Sequence, residues 1–396
     1  MSEPTPCGLA ADTFEHFDPS LVPSPCYVVD EVAVERNLRI LDRVQQESGA
    51  KILLALKAFS MFSLAPLISR YLQGTCSSGL MEATLGKEEY GGEVHAYSAA
   101  YTRDDLDGIL DIADHVVFNT LSQWQRFQDL VQRKHIARPA MEFGLRINPQ
   151  HSEGAVALYD PCSPGSRLGT PISQLAGQDL SGFSGLHFHT LCEQNFAPLA
   201  RTLDAVEAGC AHLLHQMKWV NFGGGHHITH PDYEVDALIA RIREFSERYQ
   251  VQVYLEPGEA IAIRSGVLVS EVLDLMDNTV PIAILDSSAT CHMPDTLEMP
   301  YRANMRDAGE SGVLPFTYRL SGLSCLAGDV MGDYSFAQPL QIGQRLIFDD
   351  MAHYTMVKTT TFNGVRLPAI AIWNSVTNNL RMVREFGYQD FRNRLS

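Results

Sequence analysis

The sequence predicts an α/β protein built from a (β/α)8 barrel and a C-terminal β-rich domain of barrel or sandwich type. Three observations lead there. From about residue 30 to 265, short apolar runs alternate eight times with amphipathic stretches, as parallel strands joined by crossover helices do. Polar or glycine-bearing residues follow several of those runs directly, in a shared register. After about residue 265 the runs become β-branched or aromatic and are bounded by Gly, Pro, Asn and Asp, a pattern of strands and turns. A doubly wound sheet is the competing arrangement for the alternating region.

Taken in order, Pro25–Val29 starts the chain in the β-rich domain, so that residues 1–29 and 266–396 form one domain around an inserted barrel, 30–265. Barrel strands are expected at Ile52–Leu56, Gly74–Ser77, Val94–Ser98, Val116–Asn119, Phe143–Ile147, Gly185–His189, Trp219–Phe222 and Val251–Leu255. Between them, Glu31–Gln46, Met61–Leu72, Leu121–Arg133, Leu199–His215 and Asp236–Tyr249 read as helices. In the first of these, Val34, Leu38, Leu41 and Val44 recur at the spacing that lines one helix face. Residues 151–170 contain Pro161, Pro164, Gly165 and Gly169 with little periodicity, and read as a mobile loop over the barrel mouth. The second domain is expected to hold strands at Ser265–Leu275, Val280–Leu285, Tyr318–Leu323, Gln344–Phe348, Thr355–Phe362 and Leu367–Trp373.

With 45% apolar and 19% charged residues over 396 positions, the chain has ample core for both domains. Its eight cysteines form no C-x-x-C pair, which argues against a zinc ribbon or a disulfide framework and for reduced thiols. The N-terminal segment carries Glu3, Asp12 and Glu15 without a signal-peptide core, and no run is apolar enough to span a membrane. A cytoplasmic protein is therefore expected. A formal net charge of −17 repels nucleic acid and favours cationic ligands.

Barrel enzymes place their chemistry at the C-terminal ends of the strands. Lys57 follows the run Lys51–Leu56; partial desolvation there lowers the lysine pKa and makes its amine nucleophilic towards a carbonyl. The alternative is a surface lysine with its charge in water. Arg146 either orients a ligand or serves as an ion-pair partner. His187 and His189 alternate on one strand and so share a face. They read as a metal pair, as an imidazole stacked on a planar cofactor, or as packed histidines, the last being preferred for His187. His226, His227 and His230 follow as loop histidines, and no metal is expected. Gly223–Gly225 either let backbone N–H groups approach a phosphate or form a flexible turn. They match neither a dinucleotide fingerprint nor a P-loop. Glu256, before the Pro257-Gly258 turn, is a partner for a protonated ring nitrogen or a solvated turn glutamate. Lysine, stacking histidine, carboxylate and phosphate cradle together describe a site for pyridoxal 5′-phosphate.

The order A-L-K (Ala55–Lys57), H-F-H (His187–His189), G-G-G (Gly223–Gly225) and E-P-G (Glu256–Gly258), followed by Cys325 with Asp329 and by Tyr354, resembles the alanine-racemase-like, fold-type III decarboxylases. The blocks L-A-L-K-A-F (Leu54–Phe59), T-C-S-S-G-L-M-E (Thr75–Glu82), Y-L-E-P-G-E-A (Tyr254–Ala260), C-H-M-P-D-T-L-E-M-P-Y-R (Cys291–Arg302) and M-A-H-Y-T-M-V-K (Met351–Lys358) are similar to the branch acting on carboxylated triamines. The similarity runs from about residue 24 to the C-terminus. One departure stands out: many related decarboxylases carry E-P-G-R, whereas Glu259 occupies the fourth place here.

The resemblance implies a homodimer with shared active sites that uses pyridoxal 5′-phosphate to decarboxylate a cationic, polyamine-like substrate of the carboxynorspermidine or carboxyspermidine type. It implies that Lys57 carries the cofactor, Glu82 stands beside that linkage, and His189 stacks on the ring. Glu256 would bind the ring nitrogen, Gly225, Gly258 and Tyr354 the phosphate, and Arg146 a cofactor or substrate oxygen. Glu259 and Asp295 would hold substrate amines, with Asp286 and Asp329 as further candidates; apart from the resemblance, Asp295 reads as a helix N-cap or loop acid. Cys325 would reach in from the second subunit and return a proton to Cα. The alternatives are a decarboxylase of a simpler basic amino acid, a non-catalytic regulator of the same fold, or a phosphosugar barrel enzyme without the cofactor.

Overall fold

The computed structural model describes residues 12–154 and 157–396. Glu3 and Cys7, and Ala155 and Val156 of the expected loop, lie outside the described residues. The chain divides into two compact units, Asn37–Ile261 and the N-terminal residues through Arg36 together with Ala262–Ser396. Strand β1 (Cys26–Asp30) leads into helix α1 (Glu31–Ser48), whose Val34, Leu38, Leu41 and Val44 are fully buried. Eight barrel strands then follow: β2 (Lys51–Ala55), β3 (Gly74–Ser77), β4 (Glu93–Tyr97), β5 (His115–Phe118), β6 (Glu142–Asn148), β8 (Gly185–His187), β9 (Trp219–Asn221) and β10 (Gln252–Leu255), with the two-residue β7 (Thr170–Pro171) paired to the end of β6. Every neighbouring pair is parallel, and β10 closes on β2 with Tyr254 opposite Lys51. Closure leaves no barrel edge strand to protect. The eight strands fall where the apolar runs placed them, with ends shifted by no more than two residues.

The barrel is filled from within. Trp219, Leu53, Val117 and Tyr254 form a buried interior cluster. The Trp219 ring extends across β8 to β6. A Cβ on Gly185 would lie 2.1 Å from it and one on Gly144 2.3 Å, so those two strands carry glycine where the indole needs the room. Helices α4 (Arg103–Ile112) and α5 (Leu121–Ala137) begin after Thr102 and Thr120, whose hydroxyls accept the N–H groups of Asp105 and Gln123. The expected helix Met61–Leu72 is instead a 3-10 turn, Phe62–Leu64, entering the one-turn helix α2 (Ala65–Ile68). Pro66 in the first turn of α2 has no N–H to bond backwards, so the segment cannot continue as one helix.

In the other unit, β1 lies antiparallel to β11 (Gly266–Asn278) and parallel to β17 (Ala369–Asn374), which pairs with β18 (Asn379–Arg384). The 13-residue β11 serves two partners: its first part pairs with β16 (Arg345–Asp349) and its second with β12 (Val280–Leu285). From β12 the sheet continues through β14 (Phe316–Ser321) and β15 (Val330–Phe336) to β13 (Ala308–Glu310). The expected strand Thr355–Phe362 is absent. Thr355 Oγ1 donates to the Met351 carbonyl, Thr359 Oγ1 to that of Met356, and the Lys358 amide to that of Thr355. Local threonine bonding has replaced a ladder there. No described helix is long and apolar enough to cross a membrane.

Candidate active site at the barrel mouth

Strand register sets the site. His187 lies opposite Arg146 on β6 and Asn221 on β9, and Asn221 lies opposite Tyr254 on β10. Two residues beyond Tyr254, on the same face, comes Glu256. Its Oε2 lies 3.1 Å from His187 Nε2, and its Oε1 accepts from Asn221 Nδ2 at 2.7 Å. Burial pushes the Glu256 carboxyl up, but His187 and Asn221 outweigh it and hold it down at about 2. The group is an anion at neutral pH, with acceptor capacity left on each oxygen. Glu256 is thus a held carboxylate rather than a solvated turn residue.

Lys57 stands two residues past β2, after a turn fixed by Ala55 N donating to the Pro257 carbonyl and Leu56 N to that of Cys76. Its side chain is open to water, yet protein surrounds it at the longer range that sets solvation. That enclosure lowers its pKa, the Arg146 cation lowers it further, and Cys76, Glu256 and Cys192 oppose the shift. Arg146 is buried, donates to the His189 carbonyl at 3.2 Å and lies over the Tyr97 ring at 4.5 Å. His189 accepts the Gly224 N–H on Nδ1 at 3.1 Å, so its proton sits on Nε2; burial, with Lys57 and Arg146 nearby, keeps it neutral.

The three glycines work differently from one another. Gly223 N–H donates to Asn221 Oδ1 and Gly224 N–H to His189, so two of the three amides are used inside the chain. A Cβ on Gly225, which has φ of +82°, would lie 1.9 Å from the Leu191 carbonyl oxygen, and no partner among the described residues takes its amide. Glu82, in helix α3 (Leu80–Leu85), accepts the Ser78 amide at 2.6 Å. Glu259 lies 3.2 Å from His227 Nε2. His226 is buried between Tyr233 and the Gly223 carbonyl.

The barrel therefore brings together Lys57, Arg146, His189 and Glu256. Asp286, Asp295, Cys325, Asp329 and Tyr354 belong to the sheet unit. Within it, Asp329 is buried, and Ser288 Oγ, Ser324 Oγ and the Ser324 amide donate to its Oδ2 while the Thr290 amide donates to its Oδ1. Asp286 accepts from Ser270 and the Glu271 amide. Asp295 opens a short helix, Asp295–Glu298, and pairs with Lys358; burial raises its pKa against that cation. Cys325 is exposed, its amide bonded to Asn363 Oδ1. Tyr354 has φ of +49° and lies beneath Lys358 Nζ, 5.5 Å from the ring centroid.

Two sets of residues escaped the sequence reading. Asn221, inside an apolar run, gave no motif; its signal is a buried amide on an interior-facing barrel position. The other is a polar floor at the opposite end of the barrel. Glu93 pairs with Lys51 and accepts from Tyr254, His95 stacks on His115 at 4.0 Å, and a recess of about 410 Å³ opens beside them. The alternation Glu93-Val94-His95-Ala96-Tyr97 announces a polar interior face. Glu93, His95 and His115 bring metal-ligand atoms within 4.8 Å of one another. The Glu93 carboxylate is already engaged by Lys51, His95 and Tyr254.

Residues 26–352 match the family model described as pyridoxal-dependent decarboxylase, C-terminal sheet domain. The chain is 46% identical over 378 residues to carboxyaminopropylagmatine decarboxylase of Synechocystis sp., covering 95% of this chain and 96% of that one. It is 42% identical over 381 residues to carboxynorspermidine/carboxyspermidine decarboxylase of Campylobacter jejuni, covering 93% and 98%. The crystal structure of the Campylobacter jejuni carboxynorspermidine decarboxylase complexed with norspermidine superposes with a TM-score of 0.85 at 41% identity, covering 94% of this chain and 100% of that one.

Proposed function

Because the chain belongs to the pyridoxal-dependent decarboxylases of the ornithine, diaminopimelate and arginine family, we propose that it binds pyridoxal 5′-phosphate and decarboxylates carboxynorspermidine or carboxyspermidine, releasing norspermidine or spermidine. One observation carries the cofactor reading: a lysine of lowered pKa and a carboxylate held ionised share the mouth of one barrel. The remaining residues fit the group. The Gly225 amide offers a donor beside a backbone too close for any side chain, and the His189 imidazole is anchored by the Gly224 N–H.

Pyridoxal 5′-phosphate supplies an electron sink for the carbanion left when the Cα–carboxylate bond breaks. Lys57 Nζ, its pKa lowered by burial and by Arg146, would hold the cofactor's carbonyl carbon. Glu256 accepts the ring N–H and keeps that proton in place. His189 packs a neutral face against the ring, and Arg146 adds a fixed cation. Gly225, Gly258 and Tyr354 hold the phosphate. Glu82 borders the Lys57 linkage. Glu259 and Asp295 would each receive a substrate ammonium group, and Asp286 is a further candidate amine ligand. Asp329 is a further candidate for a substrate amine, and its bonds to Ser324 order the turn before Cys325. The Cys325 thiol, contributed by the second subunit of a homodimer, returns a proton to Cα.

A second reading has its own support. The Synechocystis relative, at the higher identity, is named for a substrate ending in a guanidinium rather than an ammonium group. Carbon dioxide release by the purified holoprotein, with carboxynorspermidine, carboxyspermidine, carboxyaminopropylagmatine and ornithine compared at equal concentration, separates the readings. The proposal expects the highest kcat/KM on the first two. Preference for the guanidino substrate assigns the chain to the second reading, and turnover of ornithine alone removes both.

A further inference from the structure

The geometry points to His187, backed by Asn221, as a positioning residue that fixes the Glu256 carboxylate in its ionised form and aims it out of the barrel mouth. This rests on the cofactor reading of the site only for its catalytic consequence; the contact itself belongs to the chain.

His187 is 2% exposed and Asn221 fully buried, so neither is a solvated residue that happens to touch a glutamate. They sit side by side on β8 and β9, one layer below Glu256. Each carboxylate oxygen accepts one bond from that layer, at 3.1 and 2.7 Å. The orientation of Asn221 is set independently, because its Oδ1 takes the Gly223 N–H at 2.8 Å. The imidazole is set as well: Tyr97 stacks on it at 5.4 Å and 22°, and the Tyr97 hydroxyl is anchored on Asn119 at 2.7 Å. Arg146 also lies over the Tyr97 ring, 4.5 Å from its centroid.

Burial, with Arg146 and Lys57 close by, favours the neutral imidazole against the pull of Glu256. A neutral imidazole facing a carboxylate carries its proton on Nε2 and donates it. Its Nδ1 is then an acceptor, and that atom is buried without a partner among the described residues. A second proton on the ring would sit there unpaired. The result is a one-way device: His187 stabilises the anionic carboxylate without taking its proton. Cys76 also borders this carboxylate, and acceptor capacity remains for a cationic ring N–H.

The test compares His187→Leu, which deletes the donor, with His187→Gln, whose Nε2 replaces it, and His187→Asn, whose donor is too short. The first readout is the Glu256 carboxyl in the cofactor-free full-length protein, followed by isotope-edited infrared titration with Glu256→Gln as the blank. The Leu and Asn variants should shift it upward by about one pH unit or more, with Gln near wild type. The second is steady-state kinetics of the holoprotein: kcat should fall roughly tenfold to a hundredfold in Leu and Asn with KM little changed, and recover in Gln. If the Leu variant does not fold, the Gln and Asn pair decides alone. An unmoved carboxyl titration, or Gln and Asn behaving alike, overturns the inference. If wild type takes up no pyridoxal 5′-phosphate, the cofactor reading fails while the carboxyl titration still judges His187.

Discussion

Lys57 illustrates how a single side chain is tuned by its surroundings: water reaches it, yet the protein around it and the Arg146 charge make its ammonium form less favourable. Lys57→Ala should abolish the cofactor-derived visible absorbance and cut decarboxylation by roughly a thousandfold or more; a variant that keeps turnover sinks the assignment. Glu259 poses a subtler question. It already lies close to His227. Glu259→Arg should raise KM for the triamine about tenfold or more while cofactor affinity, read by absorbance titration, stays unchanged. Loss of cofactor with unaltered substrate preference would assign Glu259 to the other partner. At this scale the sequence was legible in the placement of Lys57 and Glu256 just past barrel strand ends. It was not legible at His187, read as packed: a buried histidine looks the same in a sequence whether or not a carboxylate lies above it.

Among the elements, the barrel strands were easy to locate because they are buried, β-rich runs with polar residues at their ends. Met61–Leu72 and Thr355–Phe362 were misread for the opposite reason, since Pro66 and the threonine turns override an apolar or β-branched composition. The interior of the strands supports two tests. Gly185→Ala places a methyl group against the Trp219 ring and should cost about 1–3 kcal/mol, measured as a lower urea midpoint. At the barrel floor, burial pushes the Glu93 carboxyl up from 4.5, but His95 and Lys51 prevail and bring it down to about 2. A carboxyl depressed in this way stabilises the fold above the unfolded value near 4.5, and the contribution is lost as pH falls from there towards 2. Stability of the cofactor-free protein should therefore drop across that window. Glu93→Gln should flatten the drop; an equally steep profile in the variant would assign the acid response elsewhere.

The whole molecule divides its proposed chemistry between units, with Lys57 in Asn37–Ile261 and Cys325 in Ala262–Ser396. If Cys325 acts across a homodimer, mixing inactive Lys57→Ala and Cys325→Ala proteins under exchange should restore about one quarter of wild-type activity, because half the dimers become mixed and each then holds one complete site. Activity that never returns would place the thiol in its own subunit's site or outside the chemistry. The sheet unit has a further consequence, one for the order of events at the ribosome. Cys26 pairs with Val269 on one side and Ala369 on the other, so the strand made first waits for neighbours made far later. At ordinary elongation rates of about 5–20 residues per second, the first of these partners emerges roughly ten to fifty seconds after it. The barrel strands, from β3 onward each paired with the barrel strand made before it, can meet meanwhile. Nascent β1 is thus an apolar segment held in suspense, and the interval before β11 appears is when this chain is most exposed to mispairing and to chaperones.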